Sequence, residues 1–168
     1  MLEQKCVTLS WNVRGLNNPA RRKVVRDLVR DQGCSIVCLQ ETKLEAVTAQ
    51  IVEETLGPNF ADNFSFLPAV GTRGGVLIAV DGNFFSLSLS DPHCQENSVT
   101  VLLTATTWPL SWWITGVYGP QDDDAKLGFL NEMRALQQLT SDRWLLVGDF
   151  NLILQAEDKS NDNLNRRL

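Results

Sequence analysis

The stretch that decides the fold is Arg143-Trp-Leu-Leu-Val-Gly-Asp-Phe-Asn151, a short apolar run that ends at an Asp and an Asn two residues apart. The run predicts a buried strand. Residues i and i+2 of an extended segment share a face, so Asp149 and Asn151 are expected side by side at the carboxyl end of that strand. A carboxylate and a carboxamide placed there can together hold a metal-bound water and a phosphate oxygen.

Two earlier apolar runs end in a similar way. The run Cys6–Asn12 leads into Arg14-Gly15, and the run Ser35–Gln40 delivers Glu41. Each of these strands presents an Asn, a Glu or an Asp where it leaves the sheet. The pattern therefore predicts a single site for a cation and a phosphate group, built from the carboxyl ends of several strands.

Composition places the chain among ordinary globular proteins. The 168 residues, 43% hydrophobic and 21% charged, suffice for one domain, predicted to span residues 1–168. No apolar segment approaches the roughly 20 residues that a membrane helix needs, so no membrane partner is expected. The first residues lead straight into a strand, and we see no signal peptide. The net charge of −5 argues against a protein that grips nucleic acid mainly by its overall field.

The four cysteines, Cys6, Cys34, Cys38 and Cys94, lack the spacing of a zinc site. We predict buried, reduced thiols in an intracellular protein. A basic cluster, formed by Arg21, Arg22, Lys23, Arg26 and Arg30, has two readings. It is either the solvated face of a helix or a local contact for phosphate groups, the latter through Arg21, Arg22 and Lys23.

Strands and helices alternate in the first third of the chain. Asn18 and Pro19 predict the start of a helix, and Gly33 predicts its end, with an apolar stripe formed by Val24, Val25, Leu28 and Val29. A second helix is predicted from about Leu44 to Leu56, where Gly57-Pro58 stops it.

The middle of the chain is predicted to consist mainly of β-strands. Short strands are predicted in direct succession, which implies antiparallel pairing, and they cover Phe64–Leu67, Gly75–Val80, Phe84–Leu89, Val99–Thr106 and Trp112–Tyr118. Asp122-Asp-Asp124 then predicts the start of a helix through about Leu139, whose buried face holds Leu127, Leu130, Met133 and Leu136. Asp91-Pro-His-Cys94 reads as a polar turn, and residues 161–168 as a capped helix just beginning. We therefore expect further sequence downstream.

Five motifs in one order carry a family resemblance. They are Trp11-Asn-Val-Arg-Gly-Leu16, Leu39-Gln-Glu-Thr-Lys-Leu44, Gly74-Gly-Val76, Val117-Tyr-Gly-Pro120 and Gly148-Asp-Phe-Asn151. The chain resembles the endonuclease/exonuclease/phosphatase superfamily. The residues within and around the motifs are most similar to those of the endonuclease domain of plant non-LTR (LINE-type) retrotransposons. Lys159-Ser-Asn161 and Leu164–Leu168 add to this resemblance.

The resemblance implies a four-layer α/β sandwich of two mixed, largely antiparallel sheets with outer helices, here without its C-terminal strands. It also implies Mg²⁺-dependent hydrolysis of DNA phosphodiesters, with Mn²⁺ as a substitute, in an intracellular and by family nuclear protein. Carried over by motif, Glu41 is the metal carboxylate and Asn12 supports the metal. Tyr118 contacts the phosphate or the leaving oxygen. Asp149 positions or deprotonates the attacking water, and Asn151 donates its amide to a phosphate oxygen.

The chain departs from the family pattern in two places. Arg14 stands where repair-type relatives carry an Asp. The family's last strands carry a further Asp and an Asp–His pair, whereas the one histidine of this chain, His93, lies in the middle. The resemblance therefore leaves three readings open: an endonuclease with impaired or no activity, a non-enzymatic relic of the fold, and a phosphohydrolase for a lipid or inositol phosphate. A truncated sheet also predicts self-association through its exposed edge.

Overall fold

Two β-sheets face each other in the structure, and helices cover their outer sides. The computed structural model describes residues 6–88, 92–140 and 143–153. The helix expected at 161–168 and the motif residues 159–161 and 164–168 lie outside these ranges. Within the described residues the layers are helix, sheet, sheet, helix, so the α/β sandwich predicted from the motifs is confirmed.

The first sheet has the strand order β1-β2-β4-β3. Strand β1 (Thr8–Asn12) pairs in parallel with β2 (Ile36–Gln40), which pairs in antiparallel fashion with β4 (Arg73–Val80). Strand β3 (Phe64–Val70) completes the sheet beside β4. Helices α1 (Pro19–Gln32) and α2 (Ala49–Leu56), followed by a 3₁₀ turn (Pro58–Phe60), cover its outer face. The crossover through α1 lets β1 and β2 end at the same edge.

The second sheet is built around β7 (Ser98–Ala105) and β8 (Ser111–Tyr118), which pair in antiparallel fashion. Strands β5 (Phe85–Leu87) and β6 (His93–Cys94) pair with β7 on its other side. Helix α3 (Asp123–Leu139) leads to β9 (Trp144–Asp149), which returns parallel to β8. As in the first sheet, a crossover helix brings two strand ends to one edge.

A continuous apolar layer fills the space between the middle strands of the two sheets. Cys38, Val76 and Ile78 from the first sheet pack there with Val101 and Ile114 from the second. A separate cluster lies between the first sheet and its helices, where Val25 and Val29 of α1 are buried. The sandwich therefore has its central core between the sheets and a further core under α1 and α2.

Several predicted boundaries and faces need correction. Helix α2 begins at Ala49 rather than Leu44, because the carbonyl of Leu44 accepts a hydrogen bond from Ala69 N beside β3 and Thr48 caps the helix. On α1, Val24 is 58% exposed. On α3 the buried residues are Phe129 and Leu136, which leaves Leu127 58% exposed. The stripe predicted for α1 was too wide, and the face predicted for α3 missed Phe129, because each helix presents only a narrow line of side chains to the core.

The cysteine prediction is half right. All four thiols are free, and Cys34 and Cys38 are buried, but Cys6 and Cys94 are exposed. Burial raises the pKa of the Cys38 thiol to about 12, which keeps it protonated and unreactive. The predicted polar turn around His93 includes the two-residue strand β6. Every helix within the described ranges is too short or too polar to cross a bilayer.

Candidate active site

A single side-chain hydrogen bond joins the ends of β1 and β9 across the two sheets. Asn12 Nδ2 donates to Asp149 Oδ2 at 2.9 Å, although the two residues are 137 positions apart in the sequence. The other end of the Asn12 amide, Oδ1, accepts from the backbone N–H of Arg14 at 3.2 Å. Both polar ends of the Asn12 side chain are therefore fixed, and the predicted convergence of these strand ends is confirmed.

The loop after β9 holds Asp149 from the other side. Asp149 Oδ1 accepts from Asn151 N at 3.1 Å, and Asn151 Nδ2 donates to the carbonyl of Gly119 at 2.7 Å. Gly148 makes this close pairing possible. Its φ is +141°, and a Cβ there would lie 2.1 Å from the carbonyl oxygen of Val117. A side chain at this position would push Asp149 away from the strand that carries Tyr118.

Glu41 and Tyr118 form the second half of the cluster. Asn12 pairs with Gln40 in the first sheet, and Tyr118 pairs with Asp149 in the second, so Glu41 directly follows the residue beside Asn12. The pKa of the Tyr118 hydroxyl is raised, first by burial, then by the negative charge of Glu41 and a hydrogen bond with it, and further by the charge of Asp149. The phenol thus stays protonated between two carboxylates.

Backbone strain is concentrated at this cluster. Four non-glycine residues in the described ranges have φ in the left-handed region: Arg14 at 52°, Glu41 at 54°, Lys43 at 57° and Asn151 at 50°. All of them lie one to three residues after the ends of β1, β2 or β9. Such conformations persist only where the surrounding structure holds them, and they are concentrated at functional sites.

The Gly74-Gly75 motif holds the turn after Glu41 through backbone hydrogen bonds. The carbonyls of these glycines accept from Lys43 N and Thr42 N, at 3.0 and 3.1 Å. A Cβ on Gly75 would lie 2.3 Å from Thr42 Oγ1, and its φ is +89°. The glycine therefore lets β4 approach the strained turn that carries Glu41, which explains why the motif accompanies the site.

Sequence reasoning assigned no role to Lys43 and Gln121, and both contact the cluster. The Lys43 ammonium lies 3.2 Å from Glu41 Oε1, and Gln121 Nε2 donates to the Tyr118 hydroxyl at 3.4 Å. The signal for Lys43 was present, because it stands two residues after Glu41 within the same motif. Gln121 follows Gly-Pro and carried no distinctive pattern.

The basic residues proposed for nucleic-acid binding have partners within the chain. Arg21 donates to the carbonyls of Val13 and Arg14, at 3.3 and 2.6 Å, and so braces the turn after Asn12. Arg22 pairs with Glu54 at 2.7 Å, and Lys23 pairs with Asp27 at 2.8 Å. Arg21 contacts the segment directly after Asn12, and Arg22 also donates through Nε to the carbonyl of Leu16, at 2.7 Å, farther along the same loop. Their binding to nucleic acid stays a prediction.

Two grooves flank the cluster. One, of about 830 Å³, has Glu41 and Tyr118 in its lining, together with Arg73 of the β3–β4 turn and Asn97 before β7. The other, of about 640 Å³, lies beside Asn12 and includes Trp11, Arg14 and Arg21. The cluster thus lies between two open surfaces that both carry arginine.

The donor set of the cluster suits a divalent cation that keeps most of its water ligands. Among the described residues, no three His, Cys, Asp or Glu side chains lie close enough together to hold a metal ion, so the cluster is not a closed metal cage. Mg²⁺ does not need one, because it binds through one or two carboxylates and keeps several waters for substrate oxygens to replace. The Glu41 side chain is 18% exposed, so its carboxylate is open to a cation of this kind, which would compete with the Lys43 ammonium for Oε1.

The only histidine of the chain is not part of the cluster. His93 lies on β6, where it pairs with Thr100, and its ring contacts Trp113 with 5.8 Å between the ring centroids. The general acid–base group that the family resemblance implies as a histidine is therefore not supplied by this residue.

Comparison with known proteins agrees with the fold and the motif order. The family model described as the endonuclease/exonuclease/phosphatase family matches residues 9–168, and the chain belongs to this family. No curated protein sequence matches the chain significantly. Its fold is that of a hydrolase superfamily of phosphodiesterases and phosphatases, whose enzymes generally depend on a divalent metal.

Solved structures with the same fold have little sequence in common with the chain. TDP2 from D. rerio, complexed with a single-strand DNA product, is 18% identical with a TM-score of 0.61, over 92% of this chain and 64% of that one. The human Nocturnin catalytic domain with bound sulfate is 16% identical with a TM-score of 0.62, covering 90% and 66%. A mannosyl-6-phosphatase from Bacteroides thetaiotaomicron is 14% identical with a TM-score of 0.63, covering 88% and 66%. The chain spans about two thirds of the length of each.

Proposed function

We propose that the cluster is the active site of a Mg²⁺-dependent endonuclease that hydrolyses DNA phosphodiesters, of the kind found in plant LINE-type retrotransposons. The observation that carries this proposal is the Asn12–Asp149 hydrogen bond, which draws the strand ends of both sheets into one cluster beside Glu41 and Tyr118. The residues of the five motifs support the retrotransposon type of endonuclease. The structure of TDP2 with a single-strand DNA product supports a nucleic-acid substrate.

Each residue has a defined task in this proposal. Glu41 holds the cation, and Asn12 supports the metal site while it orients Asp149. A bound Mg²⁺ would neutralise charge that develops on the phosphate oxygens. Asp149 accepts the proton of the attacking water, for which its fixed orientation is required. Tyr118, protonated over a wide pH range, donates a hydrogen bond to the phosphate or leaving oxygen, and Asn151 contributes its amide.

The 168-residue chain is expected to turn over slowly. Its single histidine lies against Trp113, so the acid–base group that the resemblance places in an Asp–His pair is not provided. Loss of a general acid–base or electrostatic group typically lowers the rate by about 10²–10⁴-fold. We therefore propose an endonuclease site with impaired activity. A non-enzymatic relic, which binds a cation or nothing, is the limiting case.

A phosphohydrolase for a lipid or inositol phosphate is the second candidate. The same fold in a mannosyl-6-phosphatase shows that the superfamily includes phosphomonoesterases. Arg73 in the groove beside Glu41 offers a contact to a phosphate group of either substrate, so DNA is preferred here on the motif residues alone. The proposal also includes a nuclear location, which is expected by family. It further includes association of two chains through the edge of the second sheet at β9.

The first test is cation binding. Calorimetric titration with Mg²⁺ and Mn²⁺ should show weak binding by the wild type and none by Glu41→Ala, because one carboxylate with few companions cannot form a tight site. Glu45→Ala is the matched control, since Glu45 is an exposed carboxylate four residues away. Binding that persists unchanged in Glu41→Ala would refute the site.

The second test is plasmid nicking with Mg²⁺. The wild type should nick slowly, and Asp149→Ala should abolish the remaining activity. Parallel incubation with an inositol phosphate, followed by phosphate release, distinguishes the second candidate. Fast nicking that depends on Asp149 would confirm the endonuclease and contradict the expected impairment, whereas cation binding without any hydrolysis would favour the relic.

A further inference from the structure

Helix α3 is anchored to the beginning of β7 by one carboxylate. Glu132 Oε1 accepts from Asn97 N at 3.2 Å and from Ser98 Oγ at 2.5 Å, while Glu132 Oε2 accepts from Asn97 Nδ2 at 2.9 Å. The Ser98 side chain is fully buried. Hydrogen bonds to an ionised carboxylate are stronger than those between neutral groups, so this contact holds the segment firmly.

The segment that Glu132 holds is also a neighbour of the cluster. The carbonyl of Asn97 accepts the backbone N–H of Tyr118 at 2.9 Å. Asn97 lines the same groove as Tyr118 and Glu41. A chain of contacts therefore runs from the carboxylate on α3, through Asn97, to the backbone of the tyrosine at the end of β8.

We propose that Glu132 is a positioning residue for Tyr118. By fixing both the backbone and the side-chain amide of Asn97, it sets where β8 ends and how the phenol faces Glu41. The functional meaning of this role rests on the function proposed above for Tyr118. The geometric claim, that Glu132 controls the end of β8, stands on the hydrogen bonds alone.

A general structural role predicts a different pattern of effects. The middle of the same strands is held independently: the hydroxyls of Thr100 and Thr115 are 2.7 Å apart, and Trp144 Nε1 donates to Thr115 Oγ1 at 2.8 Å. These contacts remain when Glu132 is changed. A positioning role therefore confines the disturbance to the end of β8, whereas a general role loosens the whole strand.

The experiment uses Glu132→Ala, which removes both acceptor oxygens. The Asn97 backbone N–H, the Asn97 side-chain amide and the buried Ser98 hydroxyl then lose their shared partner. Hydrogen exchange measured by NMR should accelerate at least about tenfold at Tyr118 N–H. Trp113 N–H, which donates to the carbonyl of Arg143 at the other end of β8, should keep its rate. The side-chain ¹³Cζ resonance of Tyr118, the only tyrosine of the chain, should shift.

A conservative swap, Glu132→Gln, supplies the rescue. Its oxygen still accepts from the Asn97 backbone and from Ser98, and its N–H₂ group donates to Asn97 Oδ1 once the Asn97 amide has turned over. Slow exchange at Tyr118 and its original resonance should return. Asn131→Ala, an exposed change on the same helix that removes only a contact to Arg134, should alter neither signal.

The outcomes separate cleanly. Equal acceleration at both ends of β8, global unfolding, or no change at Tyr118 would each overturn the positioning role, as would failure of the swap to restore the signals. Failure of the proposed function appears elsewhere, as cation binding that ignores Glu41→Ala. The exchange experiment needs neither a metal nor a substrate, so one result does not depend on the other.

Discussion

The two sheets meet in different ways at the two sides of the sandwich. On the closed side, where β2 and β4 face β7 and β8, every residue of β2 is buried and Leu103 is fully inaccessible. On the open side, where β1 faces β9, Thr8 and Ser10 are exposed and Leu145 is 36% exposed. These residues point inward, because they stand two or four positions from Asn12 or Val147 along their strands and therefore share a face with them.

The difference shows what holds the site together. The closed side is joined by an apolar layer, whereas the open side is joined at its carboxyl end by the Asn12–Asp149 hydrogen bond. The cluster proposed as the active site thus lies where packing between the sheets is weakest. Its residues supply a cross-sheet connection that the core does not, and substrate can approach them from two grooves.

The sharpest way to break this comparison is Leu103→Ala on the closed side. Leu103 is fully buried in the layer between the sheets. The free energy of unfolding should fall by about 2–5 kcal/mol, because the layer cannot collapse around the cavity. Urea denaturation followed by tryptophan fluorescence measures the loss. A loss below about 1 kcal/mol would mean that the layer is not the main connection between the sheets.

The next effect is that of the cross-sheet hydrogen bond. Asn12→Ala should lower the free energy of unfolding by about 1–2 kcal/mol, because it removes a donor to a carboxylate in a part-buried setting. A double-mutant cycle with Asp149→Ala isolates the pair. A coupling energy near zero would show that the two side chains do not hold the open side together.

The pH response of Tyr118 tests the contacts within the cluster on the open side of the sandwich. Its pKa should lie above the ordinary value of about 10, and Glu41→Gln should lower it, because that change removes the nearest charge. Because the pKa of Tyr118 is raised in the folded state, the folded state binds this proton more tightly than the unfolded state does. The contribution of Tyr118 to the free energy of unfolding is complete below the ordinary pKa, and it is lost as the pH rises through the pKa of the folded state. Absorbance of the phenolate in a pH titration reports the pKa, and an unchanged midpoint in Glu41→Gln would contradict the contact.

The smallest effect should come from Leu145→Ala on β9. This is the same substitution as in Leu103→Ala, on a face of the sheet that solvent already reaches. We expect a loss below about 1 kcal/mol, because little apolar area is withdrawn from the core. The two variants are measured side by side in urea. Similar losses at the two positions would remove the distinction between the closed and the open side.

Local sequence determined the order of the elements and the places where strands end. Helix α1 begins at Pro19 after the Asn18 cap and ends at Gly33, whose φ is 62°, as its residues predicted. The strand ends at Asn12 and Gln40 agree with the apolar runs, whereas β9 continues two residues past the apolar run that ends at Val147, to Asp149. These features depend on caps, on proline and glycine geometry, and on short apolar runs, all of which act over a few residues.

Only the tertiary structure decided which atoms meet at the strand ends that were predicted to converge, and which side chains are covered. The start of α2 depends on a contact between Leu44 and Ala69, and the exposure of Cys6 and Cys94 depends on their places at the borders of the sheets. Glu132 and Asn97 are unremarkable in the sequence, yet their contact lies beside Tyr118. Asn12 and Asp149 touch across 137 positions because two parallel crossovers bring their strands to one edge. No local pattern encodes that distance, since it is fixed by how the two sheets pack.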